Sequence, residues 1–202
     1  MSSESRSPVI VRRVRPSDQS GLRDFYAALS AESRRARFLG LSPGLSEAQS
    51  LSFCTPDHMH GEGFVALADD RIVGHLCLEP WGEQALELAV AVADDCQGQG
   101  IGRRLFEAAV LWAQQRGALA LVASAYADNA RVLRLLSSAP HQPVVRGPDA
   151  GVVTVTIPLQ GPLPKSWRRP EALPAGRSAG RARGPCHVVW RRRRPPVRDA
   201  AG

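Results

Sequence analysis

The sequence predicts a mixed α/β domain, with a largely antiparallel, twisted sheet flanked by helices, followed by a tail that builds no core. Three observations carry this. Short apolar runs of strand character alternate with stretches of helical periodicity. A glycine-rich loop, Gln97-Gly98-Gln99-Gly100-Ile101-Gly102, stands between one such strand and the longest amphipathic helix. Composition changes abruptly after Leu159, which sets a domain at 8–159 and a tail at 160–202.

Val9–Val14 reads as a first strand, closed by Arg15-Pro16. Ser17-Asp18 offers an N-cap, and Leu22, Phe25, Tyr26 and Leu29 recur at helical spacing through Ser30. A second helix is expected over Ala31–Leu39, ending at Gly40. Ser46-Glu47-Ala48-Gln49 has the form of a capping box, because Ser46 and Gln49 can each satisfy an orphan donor; it opens a helix to about Cys54.

Phe64–Ala68 and Ile72–Leu78 form a hairpin around Asp69-Asp70. After Pro80-Trp81-Gly82, the strand Ala85–Val92 puts Leu86, Leu88, Val90 and Val92 on one face, and Ala85, Glu87, Ala89 and Ala91 on the other. The helix after the glycine loop spans about Gly100–Arg116, with Ile101, Leu105, Ala109 and Trp112 along one side and Gly117 as its C-cap glycine. Leu119–Ser124 is a buried-type strand, Asp128–Ser137 a helix and Val152–Ile157 a strand.

The chain is 44% hydrophobic, ordinary for one able to bury a core. Its net charge of +7 belongs to the tail: residues 160–202 carry Lys165 and ten arginines against Glu171 and Asp199, leaving residues 1–159 at −2. Pro, Gly, Arg and Ala dominate there, and such a segment buries too little apolar area to offset its ordering entropy, so it is expected to be disordered. Nonspecific binding of its arginines to nucleic acid is the lesser reading. Cys54, Cys77, Cys96 and Cys186 show no metal-ligand spacing and read as free thiols. His58 and His60 lack a third ligand at a telling spacing, so no metal is expected. The polar N-terminus precedes no apolar signal region and no stretch approaches the ~20 apolar residues of a membrane span, so the expected location is cytoplasmic.

In the glycine loop, successive glycines let backbone N–H groups turn toward one point, and the following helix adds its positive end; a diphosphate is the natural occupant. The dinucleotide fingerprint does not fit, since Arg103 stands where its third glycine belongs, and the Gly-Lys-Ser/Thr of a nucleotide P-loop is absent.

Here the sequence resembles the GNAT superfamily, whose pattern Q/R-x-x-G-x-G/A matches Gln97, Gly100 and Gly102 without a gap. The resemblance implies a GNAT-type acyl-CoA N-acyltransferase fold whose central parallel pair, Ala85–Val92 and Leu119–Ser124, splays apart to admit acetyl-CoA. It also implies a cosubstrate site: backbone amides of Gly98, Gln99, Gly100, Ile101, Gly102 and Arg103 on the pyrophosphate, and the main chain of Ala89, Val90, Ala91 and Val92 along the pantetheine arm. Asn129 matches the asparagine that opens the next helix and touches the CoA arm; a simple helix N-cap is the alternative. Leu29-Ser30-Ala31-Glu32-Ser33, Arg37-Phe38, Glu87–Asp94 and Gly151–Ile157 look like the acetyltransferase domain of bacterial protein-lysine acetyltransferases, over about residues 8–160.

Acetyl transfer needs a neutral amine, and a lysine amine of pKa ~10.4 is mostly protonated at neutral pH, so a general base helps. Glu87 is the candidate, a lone carboxylate among apolar strand residues, and the resembling enzymes use the glutamate at this place in the strand as the base. Its small face-mates Ala85, Ala89 and Ala91 leave room for an acetyl group and an incoming amine. A main-chain N–H of Val90 or a neighbour is the candidate oxyanion donor. Many GNAT enzymes carry a proton-donating tyrosine seven residues after the helix-opening asparagine; here that position is Leu136, and Tyr126 is expected to pack. Ser137-Ser138-Ala139-Pro140 replaces the usual Gly-aromatic pair, which affects the acceptor side. The expected activity is acetyl transfer from acetyl-CoA to an amine by direct attack in a ternary complex. A protein lysine and a small-molecule amine stand as alternative acceptors, and a CoA-binding regulatory module as the non-catalytic alternative.

Overall fold

The structure is a computed structural model that describes residues 8–82, 84–163 and Trp167. Its elements, in chain order, are β1 (Ile10–Arg13), α1 (Gln19–Ala28), α2 (Ala31–Phe38), α3 (Glu47–Cys54), β2 (Glu62–Ala68), β3 (Arg71–Trp81), β4 (Ala85–Val92), α4 (Ile101–Gln115), β5 (Ala120–Tyr126), α5 (Ala130–Ser137), β6 (Val144–Asp149) and β7 (Val152–Pro158). The strands form one sheet in the order β1-β2-β3-β4-β5-β7-β6, antiparallel at every step except β4–β5.

Local chemistry explains most boundaries. Ser46 and Gln49 make both bonds of the expected capping box and start α3. Asp69 and Asp70 both take positive φ, 49° and 60°, the backbone twist that a two-residue hairpin turn needs. The entry to α1 differs from expectation. A 3-10 turn over Pro16–Asp18 precedes the helix; Asp18 holds the N-cap position, but its side chain makes no capping bond. Its carboxylate instead receives two 2.7 Å bonds from Arg12 and one from the Arg15 N–H. The Arg12 guanidinium, with the Arg15 N–H, holds this carboxyl below its ordinary value against the opposing effect of burial.

β3 runs on through Pro80 and Trp81, which the sequence reading took as a break. Pro80 is tolerated because the β2 ladder stops at Glu62↔Leu78, leaving β3 paired on one side only from Glu79 onward. β6 was not expected at all. It pairs only with β7 and is exposed along most of its length, so it needs no apolar alternation to hold its place.

The sheet has two covered faces. α4 lies over the face of Gly74 and Leu76, so closely that a Cβ on Gly74 would stand 2.9 Å from the Leu105 side chain. Ile101, Leu105, Ala109 and Trp112 are all buried there, as their spacing predicts. Over the opposite face, Tyr26 of α1 and Phe53 of α3 close on His75. Of the tail expected from residue 160, only 160–163 and Trp167 are described; the rest lies outside the described residues. No helix among the described residues is long and apolar enough to cross a membrane.

Candidate functional site

The ladder between β4 and β5 holds three residue pairs, Ala85↔Ala120, Leu86↔Leu121 and Glu87↔Val122, and stops there. Beyond it the two parallel strands diverge. A cleft of about 950 Å³ opens between them, floored by Leu88–Val92 of β4 and Ala123–Tyr126 of β5 and closed at its far end by the glycine loop and the start of α4. α2 and α5 form its flanks. Main-chain groups of β4 past Glu87 that turn toward β5 therefore have no strand to bond, an arrangement suited to an extended ligand that supplies the missing partners.

The far end is built for an anion. Gly98 and Gly100 take φ of 77° and 79°, with nothing within 4 Å of where a Cβ would stand. Glycine adopts this backbone at least cost, and it keeps the space before the loop clear. Gly100 is the N-cap of the 15-residue α4, whose first N–H groups have no intrahelical partner. Gly102 differs: its φ is ordinary, and a Cβ there would make ordinary 3.6 Å contacts with Leu135 and Val92. Arg35, Arg103, Arg131 and Arg134 line the same cleft and give it the positive field a polyphosphate favours.

Gln97 works as a strut. Its Nε2 donates to the Val92 carbonyl and to Ser33 Oγ, each at 3.2 Å, and its Oε1 accepts from Arg131. The loop is thereby tied to the end of β4, to α2 and to α5. Asp94 adds a second tie, accepting from the Ser30 N–H, Ser30 Oγ and Ser33 Oγ at 2.6–2.9 Å. Burial alone would raise the Asp94 pKa, but these serine bonds hold it below the ordinary carboxylate value.

Of the residues the sequence offered for the cosubstrate, Ala89, Val90, Ala91, Val92, Gln97, Gly98, Gly100, Ile101, Gly102, Arg103 and Asn129 all line the cleft. Gln99 does not; its side chain turns back to the Asp95 carbonyl at 3.1 Å. Asn129 caps α5, its Oδ1 accepting from the Val132 N–H at 3.2 Å, and lines the cleft as well, so both readings of it meet in one position. Glu87 lies in the last rung, where the cleft closes, on the sheet face shared with Ala85, Ala89 and Ala91. Glu79 stands directly opposite it in β3.

Sequence reasoning missed the whole contribution of α2. Arg35 places its guanidinium 4.4 Å from the centre of the Tyr126 ring, so Tyr126 packs as expected and does so in the wall of the cleft. Buried Arg37 donates to Cys77 Sγ at 3.2 Å and lies among the Tyr26, Phe38 and Phe53 rings. The signal available was weak: the arginines of a short helix form no motif that announces a contact across the fold. Leu136 is fully buried and lines the cleft without a group that could give a proton. His58 bonds Glu62 and His60 bonds Asp57. Among the described residues no group of three His, Cys, Asp or Glu side chains is placed to hold a metal.

Acetyl-CoA fits these residues: a glycine cradle with open space for a pyrophosphate, arginines around it, and an unpaired strand edge leading from it to a carboxylate. A model of the acetyltransferase (GNAT) family matches residues 26–138. No curated protein sequence matches the chain at a significant level. Among solved structures, the GNAT domain of PAT from S. lividans is similar at 25% identity and a TM-score of 0.68, over 74% of this chain and 89% of that one. The yncA acetyltransferase from Salmonella typhimurium, solved with acetyl-CoA, is similar at 18% identity and a TM-score of 0.63, over 75% and 94% of the two chains. The ribosomal-protein-S18-alanine N-acetyltransferase from Escherichia coli shares the fold at 17% identity and a TM-score of 0.57, over 78% and 98%.

Proposed function

Because the chain belongs to the GNAT acetyltransferase family, and so is an N-acetyltransferase that uses acetyl-CoA, we propose that it acetylates the side-chain amine of a protein lysine with Glu87 as general base. The observation that carries this reading is the position of Glu87 in the last β4–β5 rung, next to Leu88, where the cleft lining begins; the glycine cradle lies at the far end of that lining. The likeness to the S. lividans PAT domain supports the choice of acceptor over a small free amine.

Bound acetyl-CoA supplies an activated acetyl group as a thioester. The chain's own residues do the rest. The N–H groups of Gly98–Arg103 and the positive end of α4 hold the pyrophosphate. The freed main chain of Ala89–Val92 aligns the pantetheine arm, which fixes the reacting carbonyl near the last β4–β5 rung and removes much of the entropy of encounter. Glu87 takes the proton of the ammonium before attack. A main-chain N–H in this stretch, Val90 or a neighbour, faces the carbonyl oxygen as charge develops on it. Leu136 gives no proton to the departing thiol; the hydroxyls that line the cleft are those of Ser33, Ser124 and Tyr126. The catalytic domain of this reading is residues 8–159, with Leu163 beyond it packed on Ala85, Ala120 and Val122.

The test is acetyl-CoA binding by calorimetry with the native protein and with Gly100→Glu, which puts a carboxylate where the pyrophosphate belongs. Micromolar binding abolished by the substitution supports the site. Absence of binding by the native protein, or unchanged binding by the variant, overturns it. Transfer to lysine peptides in preference to polyamines and aminoglycosides then decides the acceptor.

A further inference from the structure

The cleft carries more cationic charge than its glycine loop requires. Acetyl-CoA bears two phosphates joined as the pyrophosphate, and a further one, a monoester, on the 3′ position of its ribose. Loop amides and the positive end of α4 answer the pyrophosphate. That backbone device offers nothing to the monoester, which must be met by side chains.

The glycine loop and the start of α4 close the far end of the cleft, and α5 forms the flank beside them. The two helices meet closely there: a Cβ on Gly102 would stand 3.6 Å from the Leu135 side chain. Next to Leu135, Arg131 and Arg134 lie three residues apart, neighbours on one side of α5. Both are exposed and both line the cleft. α5 itself holds no acidic residue. Among the described residues neither arginine forms an ion pair, not even with Asp128, which lines the same cleft.

The other arginines that reach the rim are engaged differently. Arg103 bonds Glu107 at 2.8 Å, and Arg35 lies over the Tyr126 ring. Arg131 gives one N–H to Gln97 Oε1, a neutral acceptor, which leaves its charge uncompensated. Two like charges one turn apart repel each other unless an anion lies between them. A phosphomonoester carries nearly two negative charges at neutral pH and suits the forked donors of guanidinium groups.

Resting on the reading of Gly98–Arg103 as the pyrophosphate cradle, we propose that Arg134, with Arg131, recognises the ribose 3′-phosphate of acetyl-CoA. The pair makes the enzyme select the phosphorylated cosubstrate over its 3′-dephospho form. The loop alone binds the two forms equally, so the selection resides in α5.

Calorimetry on the full chain, with acetyl-CoA and with acetyl-3′-dephospho-CoA, tests this. The native protein is expected to bind acetyl-CoA tighter by at least about tenfold. High salt should narrow that gap. Arg134→Gln should bring the two ligands within about threefold of each other, by weakening acetyl-CoA alone. Arg134→Lys keeps the charge without the fork and should retain part of the gap. Native protein that binds both forms equally overturns the proposal, as does an Arg134→Gln variant that keeps the full gap. Equal weakening of both ligands by Arg134→Gln also overturns it; a melting curve then tells a pyrophosphate contact from a damaged fold. Gly100→Glu tests the underlying cradle separately. It should abolish binding of both forms, and binding of both unchanged by it overturns the cradle, and the assignment of Arg134 with it.

Discussion

The Tyr26 hydroxyl lies 3.0 Å from His75 Nδ1, and both side chains are fully buried between α1 and the sheet. Burial first, and the nearby Arg37 guanidinium second, push the His75 pKa down to about 3, opposed by Asp18. An imidazole that sits among aromatic rings beside a buried arginine is thus kept neutral. It serves as the hydrogen-bonding centre of the packing that seats α1 and α3 on β3.

The direction of the resulting pH dependence follows from this depressed value. Unfolded, His75 titrates near 6.5; folded, it resists protonation until about pH 3. Its contribution to stability is fully present above about pH 6.5 and is lost as the pH falls toward 3. The cost is about 1.4 kcal/mol per pH unit within that window. Urea unfolding at pH 7, 6, 5 and 4 should show this slope in the native protein. His75→Gln should flatten it by about one proton, whatever it does to stability at pH 7. An unchanged slope would mean that His75 is already protonated in the fold.

Glu87→Gln keeps shape and removes the base. The substitution should lower kcat by roughly 10²–10⁴ at neutral pH. Glu87 is not among the cleft-lining residues, so acetyl-CoA affinity should be unchanged by calorimetry. A variant that keeps full turnover would remove Glu87 from the chemistry.

Gln97→Ala cuts the strut among Val92, Ser33 and Arg131 while leaving the backbone cradle in place. Loss of a hydrogen-bonding side chain of this kind costs on the order of 1 kcal/mol. The expected result is acetyl-CoA affinity weaker by about three- to tenfold with little change in melting temperature. A loss of a hundredfold or more would instead mark direct contact between the Gln97 amide and the ligand.

Thiol labelling reads the cleft independently of turnover. Cys54 and Cys77 are buried, and burial pushes the Cys54 thiol up to about 11, so neither should react readily. Cys96 is partly exposed and lines the cleft beside Gln97. Iodoacetamide followed by peptide mass spectrometry should mark Cys96 before Cys54 and Cys77, and saturating acetyl-CoA should slow that labelling several-fold. Equal labelling with and without acetyl-CoA would put the cosubstrate elsewhere.

Periodic elements were legible because their periodicity is imposed by burial. Ala85–Val92 was read to the residue, and the buried side of α4 followed from Ile101, Leu105, Ala109 and Trp112. The cradle was legible because a left-handed backbone with open space before it, as at Gly98 and Gly100, favours glycine. β6 escaped because an exposed edge strand leaves no apolar trace. Asp18 stands at the N-cap as expected, but its bond to Arg12 was not legible, because no local pattern announces a bond between β1 and the start of α1. α2's role was hidden for the same reason: Arg35 meets Tyr126, and Ser33 meets Gln97, over separations that only the folded sheet brings together.

The sheet is two ribbons, β1–β4 and β5–β7–β6, sharing a seam three rungs long. A ligand lying along the open part of that seam works as a temporary strand. In the proposed site, the energy of binding it would double as cohesion between the ribbons, and the molecule would be stiffest while loaded. Product departure returns the seam to its short form. Each catalytic cycle is in this sense also a cycle of bracing and relaxation across the middle of the sheet, with amide exchange along Leu88–Val92 and Ala123–Tyr126 as its gauge.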